Sequence, residues 1–170
     1  KVTSSAIKKY ALEKSLHILQ PEKLKHPEFI NQLKELNADL QVVVAFRMLP
    51  EIVWNMPPMG TINVHASLLP AYRGAAPINW AIINGEKRTG VTTFKLTHEI
   101  DTGNILLQHQ VDIGENETAG ELHDKLKDAG ANLLVKTLHG LIEGNISEQP
   151  QVAEDDIVRQ KHAPKIFTET

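Results

Sequence analysis

The sequence contains no cysteine. Disulfides, thiolate nucleophiles and cysteine-based zinc sites are therefore excluded, and the composition suits a reducing cytoplasm, the compartment expected here. No apolar run approaches the roughly 20 residues that a membrane helix needs, and no signal-peptide pattern is present. An excess of positive charge is missing too. Lys and Arg number 18 against 21 Asp and Glu, for a formal charge of -3. The domain as a whole is no magnet for phosphate backbones, so a nucleic-acid role would need a local basic patch or another domain. There is no internal repeat, low-complexity tract or internal linker. What is present is an ordinary globular balance of 41% apolar and 23% charged residues over 170 positions, enough for one domain with a real core. The chain starts at Lys1 without a methionine and ends on "KIFTET". Both ends read as cuts in a longer protein.

Periodicity predicts alternating elements. "TSSAIKKYALEKS" reads as a capped helix and "LHILQ" as a short strand stopped by Pro21. "HPEFINQLKELN" places Pro27 at a helix start, with Phe29, Ile30, Leu33 and Leu36 on one face. "LQVVVAF" is a β-branched run that predicts a strand buried on both faces. "LPEIVWNM" is a short helix, "TINVHAS" a strand, and "APINWAIING" a helix closed by Asn84-Gly85. "GVTTFKLT" and "NILLQHQVDI" are further strands. A long helix opens with the capping box Thr118-x-x-Glu121 and carries an apolar stripe of Leu122, Leu126, Ala129 and Leu133. From Asn145 onward the chain is polar and extended. The expected class is α/β with a largely parallel sheet flanked by helices, in which ligands bind beyond the carboxyl ends of the strands.

Chemistry concentrates in "GTINVHASLLPAYRGAAPINW" (residues 60–80). Asn63 and His65 are two residues apart on a strand, so both side chains point to one side. An amide donor beside an imidazole is what acyl-type transfer needs: one stabilises a developing oxyanion, the other carries a proton near neutral pH. Asp101 in "THEIDTGNI" is the candidate to hold the imidazole, provided the two strands are neighbours. Taken singly, each signal has a plainer reading. Asn-x-His also suits a structural hydrogen-bonded pair, and Asp101-Thr102-Gly103 a turn with an Asx bond. Ser67 lacks the Gly-x-Ser-x-Gly elbow of a hydrolase. His98, Glu99 and Asp101 lack a second ligand cluster at zinc spacing, so no metal is expected.

The joint pattern is far more specific. The string from Ile62 to Leu106, with Asn-x-His, Ser-Leu-Leu-Pro, Tyr-Arg-Gly-Ala-Ala-Pro-Ile and Asp-Thr-Gly in order, resembles the formyltransferase family that uses 10-formyltetrahydrofolate. Within it the resemblance is strongest to the branch whose acceptor is methionyl-initiator tRNA, and it covers essentially the whole chain. The resemblance implies a Rossmann-like fold and a catalytic trio at Asn63, His65 and Asp101. It implies folate contacts at Phe46, Arg47, Met48 and Leu49, and at Leu96, Thr97, His98, Glu99 and Ile100. It implies a substrate loop of Ser67, Leu68, Leu69, Pro70, Tyr72, Arg73 and Gly74. "FRML" departs from the glycine-containing version of many tRNA enzymes, and Ala66 stands where many members have glycine; neither touches the trio. Other acceptors kept open are a nucleotide-linked amino sugar and, in a hydrolase, water; a non-catalytic folate-binding remnant is the reading from another class.

By the same resemblance, residues 1–150 correspond to the catalytic domain without its first β-α-β elements, and 151–170 to an extended linker toward a β-rich domain. A monomer is expected for the full-length form. "LHILQ" should then lack sheet partners or borrow them and should not pair with "LQVVVAF", leaving Val42 to Val44 on an open edge.

Overall fold

A computed structural model describes residues 4–45, 48–152 and 161–167. Two helices come first: α1 (Ala6–Glu13), with the Ser5 side chain accepting from the Lys8 amide, and α2 (Pro27–Glu35), with proline in its first turn. Proline there loses nothing, because the amide it lacks would have no partner in the first turn. Strand β1 (Gln41–Val43) leads to the short helix α3 (Glu51–Trp54) and to β2 (Thr61–His65). The two-residue strand β3 (Arg73–Gly74) and helix α4 (Pro77–Ile83) follow. Strands β4 (Arg88–Lys95) and β5 (Ile105–Asp112) precede the 25-residue helix α5 (Ala119–Glu143), and β6 (His162–Ala163) comes last.

The main sheet has the order β1-β2-β4-β5, and a second, two-stranded sheet joins β3 to β6. β1 and β2 are parallel, with Val43 opposite Asn63. β2–β4 and β4–β5 are antiparallel. The α/β class holds, but the described sheet is mixed rather than largely parallel. The physical reason lies in the connection from β4 to β5. Only residues 96–104 separate them, with no helix between, and a parallel neighbour would need a crossover of a dozen residues or more.

Two strand expectations are corrected. Residues 16–20 form no strand: a strand exists only by pairing its backbone groups, and this segment pairs with none in the described sheet, β1 included. β1 is not buried on both faces. It is an edge strand, and Val42 and Val44 are both exposed.

The core lies on the other side. α5 lays Leu122, Leu126 and Leu133 on Val91 of β4 and Val111 of β5. The capping box at its start is complete: Thr118 Oγ1 accepts from the Glu121 amide, and the Glu121 carboxylate accepts from the Thr118 amide. Thr93 and Thr137, both buried, hydrogen-bond to each other at 2.8 Å across this interface, which satisfies two hydroxyls that would otherwise cost stability.

Candidate active site

β2 delivers Asn63 and His65 to one wall of a cavity of about 1030 Å³ at the carboxyl end of the parallel pair. Both residues are buried. Their spacing of two on a strand puts them on the same face, and the pairing Asn63↔Phe94, His65↔Thr92 fixes that face against β4. The Phe94 ring meets the His65 ring edge-on, with centroids 6.5 Å apart.

Asp101 reaches this wall from the loop after β4. Its Oδ2 is 3.7 Å from His65 Nδ1 and accepts the Gly74 amide at 2.9 Å. The loop can turn this tightly because Asp101 adopts φ +55 and because Gly103 has no side chain. A Cβ on Gly103 would sit 1.6 Å from the Lys95 carbonyl oxygen. On the far side of the imidazole, Nε2 is 2.8 Å from the Tyr72 carbonyl oxygen. A carbonyl only accepts, so Nε2 carries the hydrogen. Nδ1 is then the nitrogen that gains or loses a proton, next to the carboxylate.

Tyr72 is buried and also left-handed, φ +59. Its hydroxyl donates to Glu86 Oε1 (2.5 Å) and accepts from Asn84 Nδ2 (3.0 Å), and Lys161 Nζ pairs with the same Glu86 oxygen at 2.6 Å. Burial pushes the phenol above its ordinary value, and the Glu86 hydrogen bond adds to this. Burial acts against the Glu86 carboxylate, but hydrogen bonds from Lys161 and Tyr72 outweigh it and hold the group below the usual range. Glu86 in turn raises the Lys161 ammonium.

The positions named from the sequence separate into three groups. Asn63, His65 and Asp101 converge on the cavity. Met48, Leu49, Leu96, Thr97, His98, Glu99 and Ile100 all line it, while Phe46 and Arg47 lie outside the described residues. Of the loop Ser67 to Gly74, only Gly74 is in the lining. Ser67, Leu69 and Tyr72 are buried and brace the loop from behind: Ser67 Oγ donates to the Ala71 carbonyl, and Thr92 Oγ1 accepts the Leu69 amide. Residues the sequence reading did not single out also meet here. Gln151 Oε1 accepts from Arg73 Nε (3.1 Å) and Nη2 (2.6 Å), while its Nε2 donates to the carbonyls of Asp101 and Gly103, each at 2.8 Å. No motif marks Gln151; a glutamine in a polar tail carries no signal by itself. Among the described residues, no group of three or more His, Asp or Glu side chains is placed to hold a metal ion.

The comparisons with known proteins point one way. The Formyl transferase family profile matches residues 1–138. A methionyl-tRNA formyltransferase of Bacteroides fragilis is 54% identical over 170 residues, all of this chain and 52% of that protein. The chain thus spans about half the length of the curated relatives it matches. The crystal structure of a phosphoribosylglycinamide formyltransferase from Bacillus halodurans superposes with a TM-score of 0.75 at 28% identity, covering 83% of this chain and 77% of that one. A sugar 3N-formyl transferase, WlaRD, solved in the presence of dTDP and 5-N-formyl-THF, shares the fold at 24% identity and a TM-score of 0.72, covering 94% of this chain and 53% of that one. A Rossmann-like fold, a polar trio gathered at one cavity and a family match across most of the sequence lead to one conclusion: this chain belongs to the formyltransferase family.

Proposed function

We propose that the protein carrying this chain transfers a formyl group from 10-formyltetrahydrofolate to the free amino group of methionyl-initiator tRNA. The observation that carries the chemistry is the clamped imidazole: His65 donates through Nε2 to the Tyr72 carbonyl and presents Nδ1 to Asp101 at 3.7 Å, beside Asn63 on the cavity wall. Identity above 50% across the whole chain to proteins named methionyl-tRNA formyltransferase supports the acceptor. The apolar residues Met48, Leu49, Leu96 and Ile100 give the cavity a surface suited to a flat aromatic ring system such as a pterin.

The residues divide the work as follows. An aminoacyl amine has an ordinary pKa of about 7.7–8.0 and is partly neutral at pH 7. As it attacks the formyl carbon, negative charge grows on the formyl oxygen. The Asn63 amide is the fixed donor for that charge, a role whose loss costs about 10²–10³ in rate in well-measured enzymes. The new ammonium must lose a proton and the departing nitrogen must gain one. His65 Nδ1 takes and returns that proton, directly or through water. Asp101 steadies the imidazolium while it exists. No step requires a metal or a covalent enzyme intermediate.

The test is a formyl-transfer assay on the full-length protein with charged initiator tRNA, beside His65→Ala and Asp101→Ala. Loss of about 10²–10⁴ in kcat with a native circular-dichroism spectrum is expected for His65→Ala. Wild-type turnover by either variant would end the assignment of those residues. Faster transfer to a nucleotide-linked amino sugar, or formate release without an amine, would replace the proposed acceptor.

A further inference from the structure

Both partners of the His65 ring are carried by loops, and both loops are tied to the chain that follows α5. On the Nδ1 side, Asp101 sits in left-handed backbone, and its carbonyl, with that of Gly103, receives the two hydrogen bonds from Gln151 Nε2. On the Nε2 side, the Tyr72 carbonyl belongs to a segment whose next residue, Arg73, grips Gln151 Oε1 with two N–H groups. One carboxamide therefore uses its donor end on the Asp101 loop and its acceptor end on the Tyr72–Gly74 loop. The Gly74 amide closes the ring by donating to Asp101 Oδ2. Gln151 is absent from the cavity lining, so it acts from outside.

We propose that Gln151 is a positioning residue for formyl transfer: it locks the Asp101 loop to the Tyr72–Gly74 loop and so sets the distance and angle at which a carboxylate and a carbonyl hold the His65 ring. The activity arm of this inference rests on the formyl-transfer reading above. The imidazole arm does not. The chemistry of the amide is specific. Two backbone carbonyls need donors, and a guanidinium needs an acceptor; only an uncharged carboxamide supplies both at once. A carboxylate would keep Arg73 and lose both carbonyls.

Gln151→Glu and Gln151→Met in the full-length protein test this. Both nearly preserve side-chain length. Gln151→Glu retains the acceptor for Arg73 and places an oxygen against the Asp101 and Gly103 carbonyls; Gln151→Met removes every polar contact. The expected result is a fall in kcat of about tenfold to a hundredfold in both variants, since misplacement of a reacting group by up to about 1 Å has effects of this size. KM for 10-formyltetrahydrofolate should stay within about twofold, as Gln151 is not in the lining. The pH–kcat profile and the His65 ring resonances in ¹⁵N-resolved NMR titrations should both be displaced. Wild-type kcat and an unshifted His65 titration in Gln151→Glu would overturn the proposal and leave Gln151 as an anchor for Arg73 alone. A lower melting temperature with an unshifted titration would overturn it as well. Should the wild-type protein show no formyl transfer, the assigned function fails, and the His65 titration in the two variants still decides the role of Gln151.

Discussion

Residues 4–45 and residues 49–150 are built on opposite terms. In the first stretch not one described residue is buried, although it contains two helices and a strand. In the second, Ile62, Thr92, Thr93 and Leu122 are inaccessible to solvent or nearly so, and the candidate site grows from the same strands. Secondary structure is thus no guide to where stability lies. α1 has a capped start and α2 a proline in its first turn, but both have little to pack against, and helices of eight or nine residues are marginal without packing. β4, β5 and α5 bury their apolar faces on one another, and the wall bearing His65 inherits that rigidity.

The comparison can be broken most sharply in the core. Leu122 on α5 is completely buried among Val91, Val111 and Leu126. Leu122→Ala removes buried methyl groups and leaves a cavity, for an expected loss of about 2–5 kcal/mol. Urea denaturation of the 170-residue chain measures it. A loss under about 1 kcal/mol would mean that the region collapses around the gap and is less tightly packed than its burial implies.

A smaller loss is expected at the joint between core and site. An alanine methyl at Gly103 would meet the Lys95 carbonyl oxygen at 1.6 Å, so the loop must move. Overpacking of this sort costs about 1–3 kcal/mol. Because the displaced loop carries Asp101, the formyl transfer proposed above should fall by a larger factor than the folding equilibrium does. Gly103→Ala with wild-type kcat would separate the loop's geometry from the chemistry.

Much of this arrangement was legible in the residues, and the illegible part has physical causes. Asn63 and His65 could be placed on one face because a strand alternates with period two, whatever the fold. Gly103 stood inside a recognisable Asp-Thr-Gly, though a glycine alone does not announce a carbonyl oxygen in contact with it. The alternation of strands and helices implies a largely parallel sheet, yet the nine residues without a helix between β4 and β5 demand an antiparallel pair there. The hydrogen bond from His65 to the Tyr72 carbonyl could not be read, since every residue has a carbonyl. Gln151 lies 50 positions from Asp101, and only the folded path of the chain brings them together.

The described chain after α5 is a third kind of region, in which hydrogen bonds and an ion pair accompany the burial of Ala163. Trp80 Nε1 donates to the Pro164 carbonyl, the Tyr72 amide donates to the Lys161 carbonyl, and Lys161 pairs with Glu86. Glu86 titrates below its ordinary value of 4.5 in the folded chain. Its contribution is therefore present above that value and fades as pH falls through the lowered one. Lys161 and Tyr72 are raised, so their share holds at neutral pH and is lost only as pH rises through their raised values. The Trp80 indole N–H resonance should report docking that is constant near neutrality and weakens in acid. Glu86→Gln should blunt the acid limb. Superimposable titrations of variant and wild type would show that the backbone bonds alone hold this segment.

The smallest effect belongs to α1. Ile7 is 80% exposed and its helix contains no buried residue. Ile7→Ala removes no buried area and slightly improves intrinsic helix propensity. The expected change in the stability of the 170-residue chain is within about 0.5 kcal/mol of zero, the counterpart of the several-kilocalorie loss at Leu122. Parallel urea curves measure both on one scale, so the contrast does not depend on the absolute stability. A loss above about 1 kcal/mol at Ile7 would mean that α1 packs its apolar face in solution, on the core or on a second copy of the chain. Repeating the curve at tenfold lower protein concentration separates these, because only the second depends on concentration.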